Sequence, residues 1–182
     1  MSSVTDAQHR VFFALWPSDS LREQIAEQTR DLVGATNGRV IPPRNLHVTL
    51  LFLGVIPFAS VIELAKSAAE IRTPAFTIEF DQSEVWARSK VMVLSATRKP
   101  VALQSLVDGL QISSLRIKAT LESEEYRPHV TLARNVKPSR EPWRQVPSIQ
   151  WVAKDFVLVD SSSSANGSIY TVLHRWPLLE TP

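Results

Sequence analysis

The chain predicts an α+β fold of mostly antiparallel strands, arranged in two halves. Short runs of β-branched and aromatic residues alternate with amphipathic helical stretches, and prolines or polar turns divide them. One strand phrase occurs twice, as His47-Val48-Thr49-Leu50 and again as His129-Val130-Thr131-Leu132. At 182 residues the sequence fits one domain, 1–182, long enough to bury a substantial core.

Residues 11–16 form a β-rich apolar run closed by Pro17, which reads as a buried strand. Ser20 and Glu23 have capping-box spacing, and Leu21, Ile25, Leu32 and Val33 share a stripe, so a helix is expected over 19–33, ending at Gly34. A polar turn, Asn37-Gly38-Arg39, leads through Pro42-Pro43-Arg44-Asn45 to the first histidine strand. That strand continues as Leu51-Phe52-Leu53-Gly54, apolar on both faces, which places it inside a covered sheet. Ser60 and Glu63 repeat the capping signal, and Val61, Leu64, Ala65, Ala68 and Ile71 predict a second helix halted before Pro74.

Residues 76–85 and 91–94 predict two antiparallel strands joined at Arg88-Ser89-Lys90. Pro100 suits the first position of a third helix carrying Leu103, Leu106, Val107 and Leu110. Residues 119–128 are polar and acidic, a loop feeding the second histidine strand. Pro138, Pro142 and Pro147 argue against a long regular element beyond Arg134. Residues 156–159 and 169–173 predict a closing hairpin, with the four serines 161–164 and Asn166-Gly167 in its loop.

Composition narrows the function classes. No stretch approaches a membrane span and the N-terminus lacks the plan of a signal peptide, so a cytoplasmic protein is expected. Cysteine is absent, which excludes disulfides, thiol catalysis and cysteine-held metal. The net charge is only +2, yet fourteen of the twenty basic residues are arginine, whose planar fork suits phosphate. There is no polybasic run to grip a long duplex.

Alternation along a strand puts His47 and Thr49 on one face and Val48 and Leu50 on the other, and the second copy repeats the arrangement. Two imidazoles on opposite sides of a reacting centre can divide the proton transfers of a hydrolysis, one as acid and one as base. Hydroxyls beside them can hold oxygens on which charge develops. His9 and His174 have no such neighbours and read as structural or solvated. Two histidines without companion ligands fall short of a hydrolytic metal site, and no Gly-x-Ser-x-Gly, Walker or Gly-x-Gly-x-x-Gly motif is present. Acid–base hydrolysis without metal remains, and an in-line displacement at a phosphodiester suits it best.

The paired motifs, together with Arg10-Val11-Phe12-Phe13-Ala14, Asn45-Leu46-His47, Phe52-Leu53-Gly54 and Pro128-His129-Val130-Thr131-Leu132-Ala133-Arg134, resemble the 2H phosphoesterase superfamily. Within it they are most similar to the RNA 2′,3′-cyclic phosphodiesterase (2′-5′ RNA ligase) family. The resemblance implies a bilobal fold with pseudo-twofold symmetry, two mostly antiparallel sheets flanked by helices, and a central cleft between the lobes. It implies a monomer that opens 2′,3′-cyclic phosphate ends of RNA, or a small cyclic-phosphate nucleotide, to a 2′-phosphate with no metal or other cofactor. By motif position His47 is the proton donor, His129 the proton acceptor, and Thr49 and Thr131 hold phosphate oxygens.

Arg134 and Phe13 match positions that flank the terminal base. Strict alternation puts Arg134 on the face opposite His129, so its role requires the strand to bend or end there; Phe13 on its own reads as core. Residues 161–170 lack the arginines the family often carries in its last hairpin, which weakens the expected grip on longer RNA. Competing expectations are 2′-5′ ligation, hydrolysis of 2′-5′ oligoadenylate or ADP-ribose cyclic phosphate, and a non-catalytic module that binds a nucleotide or an RNA end.

Overall fold

The computed structural model describes residues 7–117, 125–137, 143–164 and 167–180. The chain runs β1 (Gln8–Leu15), α1 (Asp19–Gln28), α2 (Arg30–Gly34), β2 (Arg39–Val40), β3 (Val48–Pro57), α3 (Phe58–Ala68), β4 (Phe76–Trp86) and β5 (Val91–Ser95). It continues with α4 (Val101–Leu115), β6 (His129–Arg134), β7 (Trp143–Ala153), β8 (Asp155–Ser164) and β9 (Gly167–Pro177). Strand order is β7-β4-β5-β6-β3-β1-β8-β9, with β2 added to β6. The two expected sheets are the four-stranded halves β7-β4-β5-β6 and β3-β1-β8-β9. They form one continuous sheet because β3 and β6 pair at Val48 and Val130.

The helices tie the halves together. The connection from β5 to β6 is α4, which packs on α3 and on β3 of the other half, while α1, between β1 and β3, reaches β7. Phe13, Phe80, Phe156, Leu64, Leu103 and Leu110 are fully buried beneath this crossing, and Val48 and Val130 share the same core. Among the described residues no helix is long and apolar enough to cross a membrane.

Several expected elements are redrawn. The helix expected over 19–33 is two helices, broken at Thr29, whose hydroxyl donates to the Ile25 carbonyl at 2.7 Å. The cap is Ser18, not Ser20: its Oγ accepts the Leu21 amide at 3.3 Å. Helix α3 starts at Phe58 directly after Pro57, ahead of the Ser60 signal. Pro147 lies inside β7, an eleven-residue strand where a loop was expected. β7 is an edge strand, and its register with β4 slips between Phe80 and Gln82, so a missing amide is tolerated there.

Ser161, Ser162, Ser163 and Ser164 pair with Tyr170, Ile169, Ser168 and Gly167, so the serines belong to the ladder and not to the loop. Pro138, Pro142, Asn166 and most of the 119–128 segment lie outside the described residues. Gly38 is required by close approach, since a Cβ there would stand 2.6 Å from Val136 Cγ2 and 2.9 Å from the Arg134 carbonyl. Its absence lets β2 lie against β6.

Candidate active site

The site is built on the one residue pair that joins the halves. Val48 and Val130 are fully buried opposite each other. In an antiparallel pair centred there, position 47 neighbours 131 and position 49 neighbours 129, all on the face away from the valines. Each imidazole therefore sits beside the threonine of the other motif, and all four side chains are half-buried. His47, Thr131 and Arg134 line a cleft of about 200 Å³ with Asn45, Tyr170, Arg39 and Arg44. His129 and Thr49 form the other cross-strand pair of the four-residue cluster and are outside that lining.

Both rings are held in the same way. Nδ1 of His47 donates to the Asn45 carbonyl and Nδ1 of His129 donates to the Arg127 carbonyl, each at 2.7 Å. A carbonyl only accepts, so both neutral rings carry their proton on Nδ1 and leave the Nε2 lone pair for chemistry. The lead-in segments that looked like plain loops, the 3-10 turn Pro43–Asn45 and Arg127-Pro128, thus present the carbonyls that orient the catalytic candidates.

The surroundings differ. His47 is caged by Phe12 at 5.0 Å, Trp16 stacked at 5.7 Å and Tyr170 edge-on at 5.2 Å, and the Arg22 guanidinium covers Trp16. Burial lowers its pKa, the Asn45 carbonyl opposes, and His129, Arg134 and Arg22 lower it further, to about 4. His129 packs on Trp86 at 4.5 Å. Burial again lowers its pKa, the Arg127 carbonyl and the Glu84 carboxylate oppose, Arg127 and Arg134 assist, and the net shift is downward.

Both shifts disfavour the charged ring in the folded protein. Above the unfolded-chain value of 6.5 they cost nothing. As pH falls below it, the unfolded chain takes up protons that the folded protein refuses, so stability is lost between about pH 6.5 and 4. The expected result is a Tm that declines over that window and a flatter profile in His47→Gln. A variant profile that parallels wild type would contradict the assignment to His47.

Glu84 anchors the His129 side. It accepts from Ser95 Oγ at 2.6 Å, from Arg127 Nη2 at 2.7 Å and from Trp86 Nε1 at 3.1 Å. Burial opposes its ionisation, but these bonds outweigh it and hold the carboxyl below the usual range. Arg127 in turn lies over the Trp86 ring at 5.0 Å. One carboxylate thus fixes the residue whose carbonyl orients His129 and the ring on which His129 rests.

Two expected site residues behave differently. Arg134 reaches the cleft because β6 bulges: Met92 pairs with Ala133 and Val93 with Thr131, leaving Leu132 extra. Leu132 and Ala133 both turn inward, and Arg134 rejoins the histidine face. Phe13 is a correction. It is fully buried, 6.4 Å from the Phe156 ring and 6.0 Å from Trp176, on the face away from His47, and has no surface to offer a base. Its neighbour Phe12 is the one against His47. Sequence reasoning missed Phe12, Trp16, Tyr170, Trp86 and Glu84; only the adjacency of two phenylalanines hinted that one must face each way. His9 bonds Asp160 at 3.3 Å and His174 stacks on Trp176, both away from the cleft. Among the described residues no cluster of three or more His, Asp or Glu side chains is gathered as a metal ion would require.

The chain and its fold match known proteins. A family model described as LigT-like phosphoesterase matches residues 15–93. The RNA 2′,3′-cyclic phosphodiesterase of Escherichia coli is 31% identical over 173 residues, 94% of this chain and 97% of that protein. The Thermus thermophilus protein of the same name is 24% identical over 180 residues, 93% of this chain and 90% of its own. The crystal structure of E. coli LigT complexed with 3′-AMP has a TM-score of 0.85 and 30% identity, covering 94% of this chain and 99% of that one. Fold and doubled motif together define a 2H phosphoesterase. The chain belongs to the LigT-like phosphoesterase family.

Proposed function

We propose that this protein hydrolyses RNA 2′,3′-cyclic phosphate ends to 2′-phosphomonoesters, the protons being handled by His47 and His129 without a metal ion. The observation that carries the reading is the matched pair of Nδ1–carbonyl bonds, which leave the Nε2 atom of each ring free, one on each strand of the antiparallel pair that joins at Val48 and Val130. Relatives named for this reaction cover nearly the whole chain.

In the proposed step His129 takes a proton from water as its oxygen attacks phosphorus. The P–O3′ bond breaks, and His47 delivers a proton to the departing 3′ oxygen. Thr49 and Thr131 donate to the non-bridging oxygens, and Arg134 faces the terminal nucleotide. Burial lowers the pKa of both rings in the free protein, that of His47 to about 4. The acid role therefore requires the anionic phosphate, as it binds, to raise the His47 pKa so that the ring takes up a proton from solvent.

An oligonucleotide ending in a 2′,3′-cyclic phosphate, incubated with the protein in excess chelator, should yield a 2′-phosphate end. A 3′-phosphate product, or no turnover until metal is added, would overturn the reading. Glu84→Gln should lower kcat about tenfold, the worth of one hydrogen bond to a charged group, with KM little changed. It should also move the His129 titration seen by NMR. A kcat equal to wild type with an unmoved titration would show that Glu84 only supports the fold.

A further inference from the structure

The cleft does not end at the histidines. Beyond His47 it continues between the segment carrying Arg39 and Arg44 and the start of β9 at Gly167 and Ser168. Asn45 Nδ2 donates to the Ser168 carbonyl at 3.0 Å and holds these two walls together. Three arginines line this stretch, and no carboxylate does among the described residues.

Their placement is electrostatically unfavourable without a ligand. Arg39 pairs directly with Arg134 across β2 and β6, so two guanidinium-bearing residues stand opposite each other on neighbouring strands. Gly38 makes that approach possible, and Gly167 makes room at the other wall, where a Cβ would stand 3.1 Å from Arg39 Nη1. Arg44 is exposed on the 3-10 turn beside them. None of the three makes an ion pair with a described acidic residue. Like charges gathered and left unneutralised at a groove leading from a phosphate-handling site define a receptor for a second anion.

We propose that Arg39 and Arg44 hold the phosphodiester on the 5′ side of the reacting nucleotide, so that the substrate is an oligonucleotide and not a free cyclic nucleotide. The proposal rests on the reading of the site as one that acts on RNA ends. The nearest second phosphate of such a substrate is the one joining the terminal nucleotide to its neighbour. It is the anion that can reach these arginines while the cyclic phosphate lies between His47 and His129. Residues 161–170 of the facing hairpin carry no basic side chain, so the charge for this contact comes from the β2–β3 wall alone.

The test compares a nucleoside 2′,3′-cyclic phosphate with a short RNA bearing the same end, in wild type and in Arg39→Ala/Arg44→Ala. Wild type should favour the RNA in kcat/KM, and the double variant should reduce that preference about tenfold or more, mainly through KM. The salt dependence of log kcat/KM on the RNA should also become shallower, by about 0.7 for one lost phosphate contact. Equal preference in wild type, or an unchanged preference in the variant, overturns the proposal. Equilibrium binding of the fluorescently labelled RNA separates the two readings. Affinity lost in the variant without turnover in wild type would sink the reaction and keep the arginine site. Turnover with unchanged affinity would do the reverse.

Discussion

His47→Ala is expected to lower turnover of cyclic-phosphate RNA by roughly 10²–10⁴-fold, as is His129→Ala, because each removes one of the two proton transfers. A substrate with sulfur in place of the bridging 3′ oxygen distinguishes their roles. A thiolate departs without protonation, so this substrate should restore much of the rate to His47→Ala and none to His129→Ala. Rescue of His129→Ala instead would reverse acid and base. Full activity of either variant on the oxygen substrate would remove the paired-histidine mechanism altogether. Both side chains are half-buried above a sheet whose core lies on the other face, so the variants should keep the wild-type circular dichroism spectrum.

Phe13→Ala should cost about 3–5 kcal/mol of unfolding free energy, the usual penalty for emptying a buried aromatic site. Phe13 is fully buried among Phe156, Trp176 and its strand partners Leu51 and Leu158, none of which can collapse without moving the sheet. Chemical denaturation reads this directly, and the activity of the remaining folded fraction should stay within a few-fold of wild type. Phe12→Leu should do the opposite: it keeps an apolar side chain in the small cluster with Ala14, Val157 and Val159 but removes the ring beside His47, so kcat/KM falls more than stability. A Phe13→Ala protein as stable as wild type would refute the core assignment.

The duplicated motif was legible because everything it needs is local. Alternation fixes which side chains share a face, and two copies in one chain imply two strands that can meet. The fold class, the β4–β5 hairpin and the apolar stripes of α3 and α4 followed from the same periodicities. What escaped depends on neighbours far away in sequence. Whether Phe12 or Phe13 faces the site is set by the register of β1 against β3, where Ala14 pairs with Thr49. Arg134 reaches the cleft through one extra residue at Leu132, which nothing in its own sequence announces. Pro147 is tolerated only because β7 has an open edge, and the four serines became strand because β9 was there to pair with them. Glu84 comes to Arg127 only when the hairpin folds beside β6.

The crossed placement of each histidine beside the other copy's threonine has a bearing on origin. A primitive chain holding a single motif would own one ring and one hydroxyl, set on the same strand and unable to surround a phosphorus atom. Two such chains associating face to face about the valine contact would assemble the full set, as a homodimer with an exact rotation axis. Fusing them into one polypeptide would free each copy to diverge, and here the two rings do have unlike settings, an aromatic box on one side and a carboxylate clamp on the other.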